Sequence, residues 1–465
     1  MDINKLNGAK IGITAFELEQ KEHRGISAVT KSLIKLLNKY GADVYIVTGF
    51  HAKRNEIKSL ILRNKKLQNE IAISDICNDL NNGANYREEF KSSNKNKIKL
   101  IFNLFIQIIF LFKNNFKLKY KVFELNENHK LINIFNPRMD YLNYVKGIIS
   151  VKYIFHICRL RSIRLLIRTP ELKIDNLDLI ISTSPLSIKS NKKHKPKIIQ
   201  LIHDLIPIQV SSHPENPNIF YNRLKDSHKN NDCIYVSKAS KKLAKDIVEI
   251  GKFDDTDSNI IYPLPSLNLD LLVKAINLNN IRNINRPFIV FNSSIEERKR
   301  VENALEFYMN SNLLERDILF CLAGKLHDTK YCNFIKSICK DNKNILLLDY
   351  VSDLEKAWLF LNSSLLVSTS TIEGFGIPVL DALSIDLPIL ASDIPSHYEI
   401  GQLKENSNIK LIKQNDEEIW VNSLNEIEIF PIDNKEKKLN RIASFNKFLS
   451  GIEKISISKI RKYMN

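Results

Sequence analysis

No two cysteines in this chain stand as Cys-x-x-Cys. The six, Cys77, Cys158, Cys233, Cys321, Cys332 and Cys339, follow no regular interval. That spacing offers neither a zinc ribbon nor a disulfide framework, and reduced thiols are expected. The apolar run Leu100–Phe112 has only 13 residues, short of the ~20 that cross a bilayer. Ahead of Glu17 stand Asp2 and one short apolar run, so no secretory signal is expected and a cytoplasmic location is. No zinc knuckle and no RNA-binding aromatic–basic motif appears, so a specific nucleic-acid partner is not expected. Asp254-Asp255-Thr256-Asp257 reads as a turn, and with no ligand cluster elsewhere a metal is not expected. Glycine is scarce, 13 among 465 residues, while Lys, Asn and Ile abound. Biased base composition in the coding DNA produces such usage. The net charge of +17 is therefore weaker evidence for an anionic partner than its size suggests.

Acids are also missing locally. Residues 91–121 hold eight lysines and no acid around Leu100–Phe112, and residues 144–168 mix apolar residues with Arg159, Arg161, Arg164 and Arg168, again without an acid. Such segments are either core or an interfacial face lying on anionic lipid. The remainder of residues 51–140 carries no readable pattern.

What is present is an α/β alternation. Lys10–Phe16 reads as a strand, Val29–Tyr40 as a helix with one apolar stripe, and Val44–Thr48 as the next strand: a βαβ start, with Gly25 in the loop between. Further strands are expected at Leu177–Ser182, Lys197–Ile202, Pro287–Phe291, Ile318–Ala323 and Asn344–Leu348. His203 ends the strand before it, the position where ligands bind in open α/β sheets. Pro263 and Pro265 close the first half.

The stretch Leu361–Ile400 organises the second half. Ser364–Ser368 and Leu387–Ala391 are short apolar strands. Between them a loop with Gly374 and Gly376 runs into a helix that Pro378 opens. The free amides at that helix start favour an anion such as a phosphate. Two carboxylates stand beside it, Glu373 and Asp381, and carboxylates serve there as acceptors for sugar hydroxyls rather than as phosphate ligands.

Glu373-Gly374-Phe375-Gly376-Ile377-Pro378-Val379-Leu380-Asp381-Ala382 resembles the donor signature of the retaining nucleotide-sugar glycosyltransferases of family 4 (glycosyl transferases group 1), with Asp381 where the family has Glu. Asp386 also stands where the family usually has Gly, and Asp tolerates a left-handed turn. The resemblance implies an α/β fold of two Rossmann-like domains facing across a cleft (GT-B). The expected bounds are 1–265 for an acceptor-binding domain with basic apolar insertions, 266–286 for a linker and 287–430 for a nucleotide-sugar domain. A C-terminal helix, 431–465, crosses back to the first.

It further implies that Glu373 contacts the donor sugar, Asp381 the ribose, Arg298 and Lys299 the diphosphate, and His203 the sugar or diphosphate. The backbone of Gly374, Phe375, Gly376 and Ile377, with Gly324 and Val351, completes the donor site, and Gly25 lies in a cleft loop. The implied activity is metal-independent and cofactor-free hexosyl transfer from a GDP-mannose or UDP-hexose type of donor. The acceptor would be a glycan or lipid-linked molecule of surface-polysaccharide synthesis, and the enzyme would be peripheral on the inner face of the cell membrane. The alternative is a degenerate GT-B protein that binds sugar nucleotide or anionic lipid without transfer.

Overall fold

The computed structural model describes residues 6–21, 25–51, 64–83, 94–126, 129, 137–190, 196–211, 213–248, 256–278, 280–432 and 434–464. Two compact units emerge. The first holds Met1–Val236, Ser240–Tyr262 and Lys454–Asn465; the second holds Ser237–Ala239 and Pro263–Glu453.

The first unit is built on seven strands: β1 (Lys10–Thr14), β2 (Asp43–Thr48), β3 (Lys121–Glu124), β4 (Gly147–Ser150), β5 (Leu179–Ser182), β6 (Lys197–Ile202) and β7 (Asp232–Tyr235). Their order is β3-β4-β2-β1-β5-β6-β7. Edge strand β3 runs antiparallel to β4, and the other pairings are parallel. Strands covered on both faces read as continuous apolar runs, and β4 and β5 are buried at every position.

The second unit carries β8 (Phe288–Asn292), β9 (Leu319–Ala323), β10 (Ile345–Asp349), β11 (Leu366–Ser368), β12 (Ile389–Ser392) and β13 (Ile409–Ile412). They pair in parallel in the order β10-β9-β8-β11-β12-β13. That is the doubly wound 3-2-1-4-5-6 arrangement, and the order reverses between β8 and β11. A ligand crevice lies outside the strand ends at such a reversal. Trp358 stacked on Phe288 at 5.8 Å and Trp420 on Phe307 at 5.2 Å fill the two faces.

Several expectations need correction. The stretch expected as a linker, 266–286, contains the helix Leu269–Ile276, capped by Asn268 and buried through Leu272 and Ala275. β12 starts at Ile389 rather than Leu387 because Pro388 has no N–H for the ladder and serves only as an acceptor, taking the amide of Leu366. The C-terminal helix expected at 431–465 is Lys435–Arg461, and a further helix, Glu417–Asn425, precedes it. The four-residue strands β3, β4 and β13 were not anticipated. Asp386 does adopt the left-handed conformation, φ 57°.

Candidate active site

In the second unit the loops after β8 and β11 meet at the reversal of strand order. The first runs through the short turn Glu297–Lys299, and the second leads into the helix Ile377–Ser384. Hydroxyls stitch the two together. Thr369 Oγ1 donates to the carbonyls of Lys299 (2.9 Å) and Arg300 (2.7 Å), and Thr371 donates to the Arg298 carbonyl from both its amide (2.8 Å) and its hydroxyl (3.1 Å). Residues 69 to 73 positions apart in sequence are thereby held in one place.

Glu373 is the hub. Its carboxylate pairs with Lys299 Nζ and with Arg298 Nη1 (3.2 Å), and it accepts from Ser370 Oγ at 2.8 Å. Its side chain is only 10% exposed and that of Lys299 only 5%. Burial alone raises the Glu373 carboxyl, but the adjacent Lys299 and Arg298 outweigh it and hold the group at about 2. Burial lowers Lys299 from the usual lysine range, against the pull of Glu373. The expected trio of Arg298, Lys299 and Glu373 is therefore brought together. Glu296 joins it, accepting from Arg298 Nε at 2.9 Å, so the cluster holds two cations and two carboxylates.

Gly376 opens the following helix at φ 102°. A Cβ there would stand 3.2 Å from His397 Cδ2, so both conformation and space demand glycine. Phe375 is buried at 4% exposure, which leaves this segment its backbone to offer. The Gly374 carbonyl accepts from Ser237 Oγ at 3.0 Å; Ser237 clusters with the second unit. Gly324, by contrast, is explained by packing: a Cβ would fall 1.6 Å from the Ser293 carbonyl oxygen. Val351 is half-buried just beyond β10.

Asp381 departs most from expectation. It is fully buried. One oxygen accepts from the amides of Ser266 (2.6 Å) and Leu267 (3.3 Å), and the other from Ser266 Oγ (2.7 Å) and Lys356 Nζ. Expected as a ribose acceptor, it is a staple fastening residues 266–267 to the helix Ile377–Ser384, and a ribose contact would have to displace one of these partners.

The sequence also gave no warning of His397. Nδ1–H donates to the Ser392 carbonyl at 2.9 Å, which leaves Nε2 buried with no hydrogen-bond partner among the described residues. Burial lowers the ring's pKa, opposed by Glu373. The imidazole is thus neutral, with an acceptor lone pair beside the Gly376 loop. Its position, twenty-four residues beyond Glu373, matches no spacing rule.

In the first unit the strand order reverses between β1 and β5. His203 follows β6, and its Nε2–H donates to the Thr183 carbonyl just after β5, at 2.9 Å. Burial pulls this imidazole down to about 4. His203 is therefore neutral at pH 7 and presents Nδ1 as an acceptor, so it can accept from a hydroxyl but supplies no positive charge to a phosphate. Glu17, also at the reversal, accepts from Ser184 Oγ at 2.6 Å, and burial raises its pKa. Gly25 is the exposed first residue of the helix Gly25–Lys39, and a Cβ there meets nothing. Its freedom is not required by packing, and Arg24 before it lies outside the described residues. So does part of the acidic run, Asp254 and Asp255. Among the described residues no group of three or more His, Cys, Asp or Glu is arranged for a metal ion. All six cysteines are free thiols.

The serotype-specific mannosyltransferase WbdA of Escherichia coli is 39% identical over 118 residues, 25% of this chain and 14% of that protein's length. The chain thus matches about one seventh of that relative. Among solved structures, sucrose-phosphate synthase from Thermosynechococcus elongatus superposes with TM-score 0.55 at 11% identity, covering 98% of this chain and 97% of that one. HepE from Anabaena, in complex with UDP and glucose, gives 0.51 at 12%, covering 98% of each chain. TarM of S. aureus, in complex with fondaparinux, α-GlcNAc-glycerol and UDP, gives 0.52 at 14%, covering 98% of this chain and 100% of that one. At such identities the likeness speaks for the fold alone, which is GT-B. Residues 276–444 match the model of glycosyl transferases group 1, and that stretch of the chain is a domain of this family.

Proposed function

We propose that this protein is a retaining, metal-independent glycosyltransferase of family 4. It moves a hexose from a nucleoside-diphosphate sugar, of the GDP-mannose or UDP-hexose type, to a glycan or lipid-linked acceptor in surface-polysaccharide synthesis at the cytoplasmic side. The observation that carries this reading is the meeting of Arg298, Lys299 and Glu373 with the Gly374–Ile377 backbone at the reversal of strand order. Leaving-group departure puts negative charge on the diphosphate. Preformed cations and the positive end of the helix that follows stabilise that charge at little reorganisation cost. Glu373, held ionised by the same cations, accepts from sugar hydroxyls, and His397 Nε2 offers a second acceptor next to it. Attack on the same face that the diphosphate leaves, through a short-lived ion pair, retains configuration. The diphosphate itself takes the acceptor's proton, and no cofactor enters. The first unit takes the acceptor, where His203 Nδ1 and Glu17 are the hydroxyl-binding groups. Support for mannosyl or related hexosyl transfer comes from the likeness to WbdA.

A second reading, a degenerate protein that binds sugar nucleotide without transfer, is favoured by one observation: Asp381 is wholly engaged inside the protein. The test is incubation with GDP-mannose and UDP-hexoses plus candidate glycan acceptors, with product anomers assigned by NMR. Turnover with retained configuration is expected, falling by ~10²-fold or more in Glu373→Ala and Lys299→Ala, the scale of one transition-state stabiliser. Binding without release of nucleoside diphosphate would favour the second reading.

A further inference from the structure

The helix Asn94–Lys113 is held to the first unit by Leu104, Ile108 and Leu111; Leu111 joins the core and Ile108 packs on it. Its neighbouring face is left uncovered. Ile101 is 59% exposed, Phe102 62%, Phe105 59%, Ile109 41% and Phe112 57%. At about 100° per residue these five fall within one arc of roughly 100°, so they form a stripe rather than a scatter. Single exposed apolar residues are ordinary, but a contiguous aromatic stripe marks an interaction surface.

A second exposed apolar group lies beside it. After the helix Ile154–Ser162, Leu165 is 68% and Ile167 86% exposed. This segment is tied to the end of the first helix: Glu171 N donates to the Phe116 carbonyl at 2.8 Å, and Leu118 N to the Glu171 carbonyl at 2.9 Å. The Arg168 guanidinium sits 6.0 Å from the Phe116 ring.

Cations frame the patch. Lys113, Lys117, Lys119, Lys121 and Arg168 are all exposed, and Lys119 Nζ lies 5.6 Å from the Phe110 ring. Arg164 pairs with Asp226 and counts for less. No acid occurs in residues 91–121 or 144–168. Among the described residues no helix is long and apolar enough to cross a membrane.

We propose that this face docks on an anionic phospholipid surface, with the Phe–Ile stripe and Leu165–Ile167 entering the headgroup–acyl boundary and the five cations on lipid phosphates. Charge complementarity selects this occupant. An apolar stripe framed by lysines fits an interfacial helix, and each basic residue near an anionic leaflet strengthens binding about fivefold. Two copies of so basic a face would repel each other.

The experiment is co-sedimentation of the full chain with vesicles of phosphatidylcholine alone or with about 30 mol% phosphatidylglycerol, near 0.1 M salt. No nucleotide is present, so the outcome is independent of the donor-site reading. At least tenfold stronger binding to the anionic vesicles is expected. Loss of at least tenfold is expected both in Phe102→Ser/Phe105→Ser/Phe112→Ser and in Lys113→Ser/Lys117→Ser/Lys119→Ser. The second variant alters only exposed cations, and unchanged thermal unfolding verifies its fold. Equal binding to both vesicles, no binding, or undiminished binding by the lysine variant would overturn the proposal. So would a concentration-dependent dimer, seen by sedimentation velocity, that the phenylalanine variant abolishes.

Discussion

Replacing Lys299 by Met keeps the length of the side chain and removes its charge from a nearly closed site. Glu373 then stays buried with Arg298 as its remaining salt-bridge partner among the described residues, and Arg298 is shared with Glu296. The carboxyl sits near 2 instead of an ordinary 4.5, a difference of about 2.5 units, or about 3 kcal/mol of preference for the ionised form at ~1.36 kcal/mol per unit. Breaking a buried pair on one side costs a similar amount, about 3–5 kcal/mol. We expect Lys299→Met to lose about 3 kcal/mol. For a unit of about 200 residues this lowers Tm by roughly 6–12 °C. Glu373→Gln alone also destabilises, by stranding Lys299. In the double variant neither charge is stranded, so its loss should fall at least ~2 kcal/mol short of the sum of the singles, while turnover stays low. The sign with pH follows from the depressed carboxyl. Its stabilisation is complete above about 4.5 and is lost as pH falls toward about 2, so the gap between wild type and Lys299→Met narrows in acid. Thermal unfolding of all four proteins between pH 7 and 3 measures this. Additive losses, or a Lys299→Met protein within about 1 °C of wild type, would refute the reasoning.

Restoring the family residue with Asp381→Glu should harm rather than help. The site has no exposed surface, and an added methylene in a packed site costs about 1–3 kcal/mol, readable by chemical denaturation; no loss would mean the staple is loose. His203 gives a second pH signature. Its folded pKa is near 4, below the unfolded 6.5, so unfolded chains bind the proton first and stability falls as pH drops from about 6.5 to 4. His203→Asn should remove about one proton's share of that slope, and an unchanged slope would show that His203 is not buried neutral.

Most of the sheet strands were legible because apolar runs bounded by turns survive in sequence. Phe288–Asn292 and Leu319–Ala323 lie within a residue of their expected limits. The Glu373 motif was legible because its glycines and Pro378 have local causes: Gly376 needs its positive φ, and Pro378 suits a helix start. What could not be read is long-range. The strand order that puts the Arg298 and Glu373 loops side by side is a property of pairing, not of either loop. The capture of Asp381 by Ser266 and Lys356 joins residues 115 and 25 positions away, so nothing local to the motif marks this Asp as a staple. The helix Leu269–Ile276 was missed because eight residues between proline-rich and asparagine-rich stretches give little period to detect, although the Asn268 cap was there.

The central claim is that Arg298, Lys299 and the Gly374–Ile377 backbone hold a nucleoside diphosphate while Glu373 grips its sugar. The most direct measurement is a thermal-shift titration with GDP-mannose, UDP-glucose and their free diphosphates. At a hundredfold excess over Kd a ligand that binds only folded protein adds about 2.7 kcal/mol, roughly 5–10 °C here. We expect such a rise for at least one base with its diphosphate, a further rise when the sugar is attached, and loss of that further rise in Glu373→Gln. No shift with any of them, or an undiminished shift in Arg298→Ala, would contradict the account.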